Sequence, residues 1–435
     1  MIRPTIFRAA LLHTPANPFR DERALVAHED GGLAVAAGRI VASGPYQTIR
    51  ADHPDATTID RRGAYLLPGF VDTHLHYPQL RVIGGLGRPL LEWLALTALP
   101  EEARFSDITY ARGVARGFLH ALASNGTTTA LVFGAHFAEA TAALFDEASR
   151  SGLRIVSGLV VSDRLLRPEL HRLPAEAYRD NVELIRRFHR SGRLLYAVTP
   201  RFALSTSDAM LEMCQSLMRE HDGLRFQTHI NENVQEIAEV SRLFPWSRDY
   251  LGVYERFGLT GSHAVMAHSV WTTDAELERL AAGRTSVAHC PCSNAALGSG
   301  HFSMARHVRA GVSVSLGTDV GGGTGFGMPK EMLQAYLTQQ TAPDGLALDP
   351  ARLLYLATRA GAEALGLEAE IGDFSAGKAA DFVVLKPPPD SVLAEVLGRV
   401  ESIEQALAAI VTMSGAESVD EVRVEGDVVY RASAA

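Results

Sequence analysis

Between about Gly63 and Gly366, short β-branched apolar runs alternate with helix-patterned stretches, and this alternation constrains the fold more than any other property of the chain. The runs are Ala64–Val71, Thr127–Phe133, Arg154–Val160, Leu194–Thr199, Leu224–Thr228, Ala264–Ala267, Thr285–Ala288 and Val312–Leu316. Amphipathic stretches follow most of them, among them Phe137–Arg150, Ser207–Arg219 and Thr273–Ala282. Eight β-then-α units in series predict an α/β fold, a closed parallel (β/α)8 TIM-type barrel. An open doubly wound sheet is the alternative, but no Gly-x-Gly-x-x-Gly turn follows an early strand. Gly321-Gly322-Gly323 comes after the last run and has the wrong spacing.

The two ends read differently. Met1–Arg62 contains short runs broken at Gly31-Gly32 and Gly38, and Ala380–Lys386 and Val422–Tyr430 look similar. We expect a small composite β-sandwich domain from residues 1–65 and 370–435, capping a catalytic barrel over 66–369. The 435 residues are 47% hydrophobic, enough for a large core. The net charge of -9 and the lack of a basic stripe argue against nucleic-acid binding. No stretch approaches the roughly 18 apolar residues of a membrane span, and Met1–Arg20 lacks a signal-peptide pattern. The expectation is a cytoplasmic protein with no membrane partner.

Chemistry concentrates where runs end. Leu67-Pro68-Gly69-Phe70-Val71-Asp72-Thr73-His74-Leu75-His76 closes the first run with two histidines one residue apart. Residues i and i+2 of a strand share a face, so both imidazoles reach one point from a rigid backbone. His229 ends the fifth strand, His268 the sixth and Asp319 the eighth. In a (β/α)8 barrel all of these fall on one face. Each alone has a bland explanation, a core histidine or a turn aspartate, but their joint placement predicts a metal site. Three imidazoles and a carboxylate suit zinc or ferrous iron, zinc first, and leave room for a water. Glu232, three residues after His229, places a carboxyl beside that water; the bland alternative is a helix N-terminal acid. Cys290-Pro291-Cys292 reads as a buried strand end followed by a Pro-fixed turn, because no second cysteine pair exists to complete a structural zinc site.

The run Pro68–His76 resembles the first-strand signature of the amidohydrolase superfamily. Within it, Tyr77-Pro78-Gln79, Pro89–Leu94, Thr199-Pro200-Arg201-Phe202, His229–Asn233, His289–Asn294 and Gly317–Val320 are similar to the guanine deaminase group. Gly377–Phe382 resembles the superfamily's returning terminal strand. The resemblance covers nearly the whole chain. It implies a hydrolytic aminohydrolase acting on guanine, with His74, His76, His229 and Asp319 as metal ligands. It further implies Glu232 as proton shuttle, His268 as the group that orients or assists the attacking hydroxide, and Gln79, Arg201 and Phe202 as purine-binding residues. The bland alternatives are an ion pair for Arg201 and a core position for Phe202. Related binuclear sites use a lysine at the fourth strand end; here that strand ends Thr199-Pro200-Arg201-Phe202 and no lysine precedes Lys330, so one metal ion is expected. The resemblance also implies a homodimer. The rival readings are a relative acting on a pterin, triazine or modified guanine, and an inactive scaffold. One departure is Gly325 and Gly327, where serine is more expected, which leaves the pocket edge there open.

Overall fold

The structure, a computed structural model, describes residues 3–433. Eight parallel strands form the barrel: β1 (Phe70–His76), β2 (Thr127–Phe133), β3 (Arg154–Gly158), β4 (Leu194–Pro200), β5 (Arg225–Ile230), β6 (Ala264–His268), β7 (Ser286–His289) and β8 (Val314–Leu316). Each pairs with its chain neighbour; Leu75 stands opposite Val132, and Ile230 opposite His268. The ring closes just beyond β8, where Asp319 N donates to His74 O at 2.8 Å and His76 N to Val320 O at 2.7 Å.

Every residue of β1 and β2 is buried, as expected of parallel strands covered on both faces. Val71, Leu131, Val156, Ala197, Val265 and Ala288 fill the barrel interior as one cluster, which Ala362, Leu365 and Ile371 join. The helices Ala138–Ser151, Asp208–Glu220 and Asp274–Gly283 lie within a residue of the amphipathic stretches. Their starts follow from capping: Ser207 accepts from Met210 N, and Thr273 forms a capping box with Glu276.

The first run needs correction. Ala64–Val71 is not one strand but the junction of two. A strand over Thr57–Pro68 belongs to another sheet, and the barrel begins at Phe70. Gly69 is the break: a Cβ there would meet the Thr128 side chain at 2.1 Å, so only glycine permits the approach. The apolar pattern carries straight through the corner because both strands are buried.

The two ends of the chain together build a mixed sheet of seven strands. Its order is Asp427–Arg431, Val419–Val424, Phe382–Leu385, Thr57–Pro68, Thr5–His13, Val26–Ala36 and Arg39–Pro45. The two halves meet where Phe382 stands opposite Pro68. The C-terminal end is not purely β. Helices Val392–Leu397 and Ile403–Met413 interrupt it, and Leu407 and Ile410 of the second join the main hydrophobic core. Cys290-Pro291-Cys292 also differs from expectation: Cys290 precedes a helix, Pro291–Ala296, with proline at its first position rather than in a turn. No helix among the described residues is long and apolar enough to cross a membrane.

Candidate active site

His74, His76, His229 and Asp319 offer ligand atoms that all lie within 4.8 Å of one another. Asp319 Oδ1 is 3.2 Å from His74 Nε2 and 3.3 Å from His76 Nε2. His76 Nε2 and His229 Nε2 face each other at 3.2 Å. His229 Nδ1 is 2.6 Å from the Arg201 carbonyl, so it carries the proton and Nε2 presents its lone pair to the cluster. His74 Nε2 is buried and, although close to Asp319 Oδ1, is not aligned to hydrogen-bond with it or with any other protein group. An orphaned imidazole nitrogen and two ring nitrogens turned toward each other cost free energy unless a cation lies between them. The donor set of three imidazoles and one carboxylate therefore fits a divalent ion.

The local backbone serves this convergence. Asp72, inside β1, accepts from Thr318 Oγ1 at 2.5 Å, Thr318 N at 3.1 Å and His74 N at 3.2 Å. That carboxylate ties the first strand to the segment after the last. Asp319 lies three residues beyond β8, and Ser293 Oγ holds its Oδ2 at 2.6 Å. Asn231, His268, Ser269 and Asp319 all have left-handed φ, between 48° and 74°, which is costly for residues other than glycine. All four lie at or just beyond the ends of β5, β6 and β8, so strain gathers around the ligands. Phe133, the last residue of β2, supports the cluster: its ring lies 5.0, 4.5 and 4.8 Å from the rings of His74, His76 and His229.

Glu232 and His268 adjoin this cluster. His268 Nε2 is 3.4 Å from Glu232 Oε2 and 3.8 Å from Asp319 Oδ2. His268 Nδ1 is 3.0 Å from Asn294 Oδ1, which fixes its proton there and leaves Nε2 toward the site. Glu232 accepts from Ser299 Oγ at 3.0 Å. It does not cap a helix; Asn233 caps Val234–Leu243. Burial, aided by the negative charge of Asp319, pushes the Glu232 carboxyl up to about 8. Burial would also raise Asp319, but the imidazoles of His74 and His76 hold it well below the usual range. Burial brings His76 down to about 4, so it stays neutral and able to ligate.

The opposite wall carries the remaining predicted residues. Gln79 lies in a turn, Tyr77–Val82, directly after β1, and Arg201 and Phe202 follow β4. With His76, His229, Glu232, Asp319, Leu90, Trp93, Leu94 and Leu297 they enclose a hollow of about 20 Å³, room for about one water. Arg201 is ion-paired, to a residue with no signal in the sequence. Arg201 Nη1 donates to both oxygens of Glu102 at 2.8 Å, and Gln79 Nε2 donates to Glu102 Oε1 at 2.7 Å. Gln79 Oε1 accepts from Gly321 N at 3.1 Å. Phe202 is buried, its ring 6.0 Å from that of His229. Gly325 and Gly327 are not among the lining residues; Gly325 has φ of +145°, which favours glycine.

Sequence reasoning missed Glu102, Phe133, Asp72, Ser293, Asn294 and Ser299. Asp72, Ser293 and Asn294 lie inside stretches already singled out, whereas Glu102 sits 26 positions beyond His76 in the first β-to-α connection. A wider hollow of about 670 Å³ lies elsewhere, beside the terminal sheet. Its arginines are spent on surface ion pairs, Arg8 with Asp30 and Arg62 with Asp60, and nothing there resembles the cluster.

The chain belongs to the amidohydrolase family, whose profile matches residues 65–429. It is an enzyme of that metal-dependent class. It is 56% identical to a probable guanine deaminase of Deinococcus radiodurans over 98% of each chain. It is 40% identical to the guanine deaminase of Escherichia coli K12, covering 95% of this chain and 94% of that one. The solved E. coli guanine deaminase superposes with a TM-score of 0.95 at 38% identity, over 99% of this chain and 100% of that one. A guanine deaminase from C. acetobutylicum with guanine bound in its active site gives 0.90 at 25% identity, over 98% and 100%.

Proposed function

We propose that this chain hydrolyses guanine to xanthine and ammonia with a single divalent ion, zinc before iron, held by His74, His76, His229 and Asp319. The carrying observation is the buried Glu232 carboxyl beside that cluster, facing a wall of Gln79, Arg201 and Phe202. The guanine deaminases among its relatives support the same reading. When bound, such an ion supplies Lewis acidity and brings the pKa of a coordinated water to about 7.

The protein's own groups do the rest. Glu232 gives a proton to ring N3, which makes C2 accept the oxygen of water. Left ionised, it takes up the proton that this oxygen releases and passes it to the exocyclic amino group, which leaves as ammonia while the C2 oxygen becomes a carbonyl. A buried carboxyl whose proton affinity is raised by its surroundings can both give up and take back a proton. His268, fixed by Asn294, orients the attacking oxygen. Gln79 and the guanidinium of Arg201 offer donors to O6 and N7, and Phe202 gives the ring an apolar surface. The hollow holds about one water, so its wall has to open for a purine to enter. We extend the proposal to a cytoplasmic homodimer, with the division at residues 65/66 and 369/370 between the terminal unit and the barrel.

The test is ammonia release from purified, metal-loaded protein offered guanine, adenine, a pterin and a triazine. Guanine is expected to react fastest, with xanthine as the product. Adenine offers a donor at position 6 where guanine has an acceptor, and has no amino group at C2. Faster release from any of the other three would replace this assignment.

A further inference from the structure

We infer that Glu102 is the residue that sets both the orientation and the charge of the purine-binding wall, selecting the neutral base against an anionic product. The inference rests on the guanine reading above and goes beyond it.

Glu102 is buried in the short helix Leu99–Ala103 and meets three polar side chains from three parts of the chain. Arg201 Nη1 bridges its two oxygens at 2.8 Å, Gln79 Nε2 reaches Oε1 at 2.7 Å, and His136 Nε2 stands 3.1 Å from Oε2. Burial would raise this carboxyl, but Arg201 first and His136 next hold it well below the usual carboxylate range. Glu102 is therefore ionised whenever the site works.

Two consequences follow. The first is orientation. A glutamine amide can sit either way round. Here an obligate acceptor, the Glu102 carboxylate, takes its NH2, and an obligate donor, Gly321 N, takes its oxygen. Only one orientation satisfies both. Glu102 also occupies Nη1 of Arg201, while Nη2 and Nε make no hydrogen bond to the described residues. The second consequence is charge. An unpaired buried guanidinium would attract any anion strongly at low dielectric. Paired with Glu102, it presents directed donors with no net charge. Guanine is neutral near neutral pH. Xanthine carries one more carbonyl and loses a ring proton near neutrality. A neutral wall thus releases the ionised product while it still hydrogen-bonds the substrate.

Glu102 acts through Gln79 and Arg201, so it is a positioning residue, and its test needs a readout that simple loosening would not move. We would measure xanthine binding by calorimetry from pH 6 to 9, and guanine KM and kcat, for metal-loaded wild type, E102Q, E102D and the double variant E102Q/R201M. Wild type should bind xanthine more weakly as the base ionises. E102Q should bind it more tightly over the same range, exceeding wild type about tenfold at pH 9, with guanine KM raised about tenfold. E102D, which keeps the carboxylate, should stay within about threefold of wild type in both respects. The double variant should lose the gain for the anion. If E102Q and wild type share one xanthine pH profile and one guanine KM, the inference is overturned while the guanine reading stands. If E102D matches E102Q, the effect is distortion rather than charge and the inference is again overturned. A wild type that does not deaminate guanine overturns the reading, and the inference with it.

Discussion

The cluster of His74, His76, His229 and Asp319 and the wall of Gln79, Arg201 and Phe202 face each other across one hollow but are built differently. Three of the four cluster ligands come from strands: His74 and His76 from β1, His229 from β5. The fourth, Asp319, is anchored within three residues of β8. The wall comes from connections: Gln79 from a turn, Glu102 from a short helix, Arg201 and Phe202 from the segment after β4. Barrel strands fix atoms within a rigid ring, whereas connections can be rebuilt without disturbing that ring. Under the proposed function, the cluster sets the reaction and the wall sets the substrate.

Variants separate the two regions. His229→Ala should give the largest effect, loss of both tightly held metal and turnover, read by elemental analysis and ammonia release. Full metal occupancy in that variant would remove His229 from the ligand set. Glu232→Gln should lower kcat by roughly 10²-fold or more while leaving metal content and the fold unchanged. A near-normal kcat with metal intact would exclude Glu232 from proton transfer.

Phe133 probes the support beneath the cluster. Phe133→Ala should cost about 3–5 kcal/mol of stability in denaturant unfolding, as large-to-small core changes do, and should weaken metal retention. Unchanged metal affinity would mean that the strands alone align the imidazoles. On the wall, Arg201 is best removed together with Glu102, because a stranded buried carboxylate costs about 3–5 kcal/mol by itself. E102Q/R201M should raise guanine KM roughly 10–100-fold, the equivalent of about 1–3 kcal/mol of lost hydrogen bonding, with metal content unchanged. Loss of metal in that variant would show that the wall also shapes the cluster.

The terminal sheet offers a control outside both regions. Burial, the dominant influence, brings His13 down to about 4 from an ordinary 6.5, so it is neutral in the fold. Between those values the unfolded chain binds a proton that the native chain does not, and stability rises with pH. The contribution is full above about 6.5 and is lost as pH falls through about 4, up to about 3 kcal/mol in all. His13→Asn should flatten the slope of stability against pH in that window by about one proton, leaving metal content unchanged. An unaltered slope would place the proton uptake elsewhere.

The same division explains what could be read from the sequence. The convergence of the strand-borne residues was legible because strands have a period and an end: a histidine at the end of an apolar run has one place to go in a barrel. His74, His76, His229 and Asp319 converge as that logic requires. The junction at Gly69 was not legible, because two buried strands in succession carry one continuous apolar pattern. The helix Ile403–Met413 was overlooked among short β-like runs. Glu102 left no trace, since its role depends on how a 50-residue connection between β1 and β2, residues 77–126, folds back over the barrel mouth. Arg201 was visible as a candidate, but its partner was not.

The central claim, one ion served by four residues with Glu232 beside it, is tested most directly by titration. Metal-stripped protein would be given increasing zinc, and guanine turnover followed against bound metal per chain. Activity should rise linearly and reach its plateau at one equivalent, and Glu232→Gln should bind the same single equivalent without comparable turnover. A plateau at two equivalents, or full activity in the stripped protein, would contradict it.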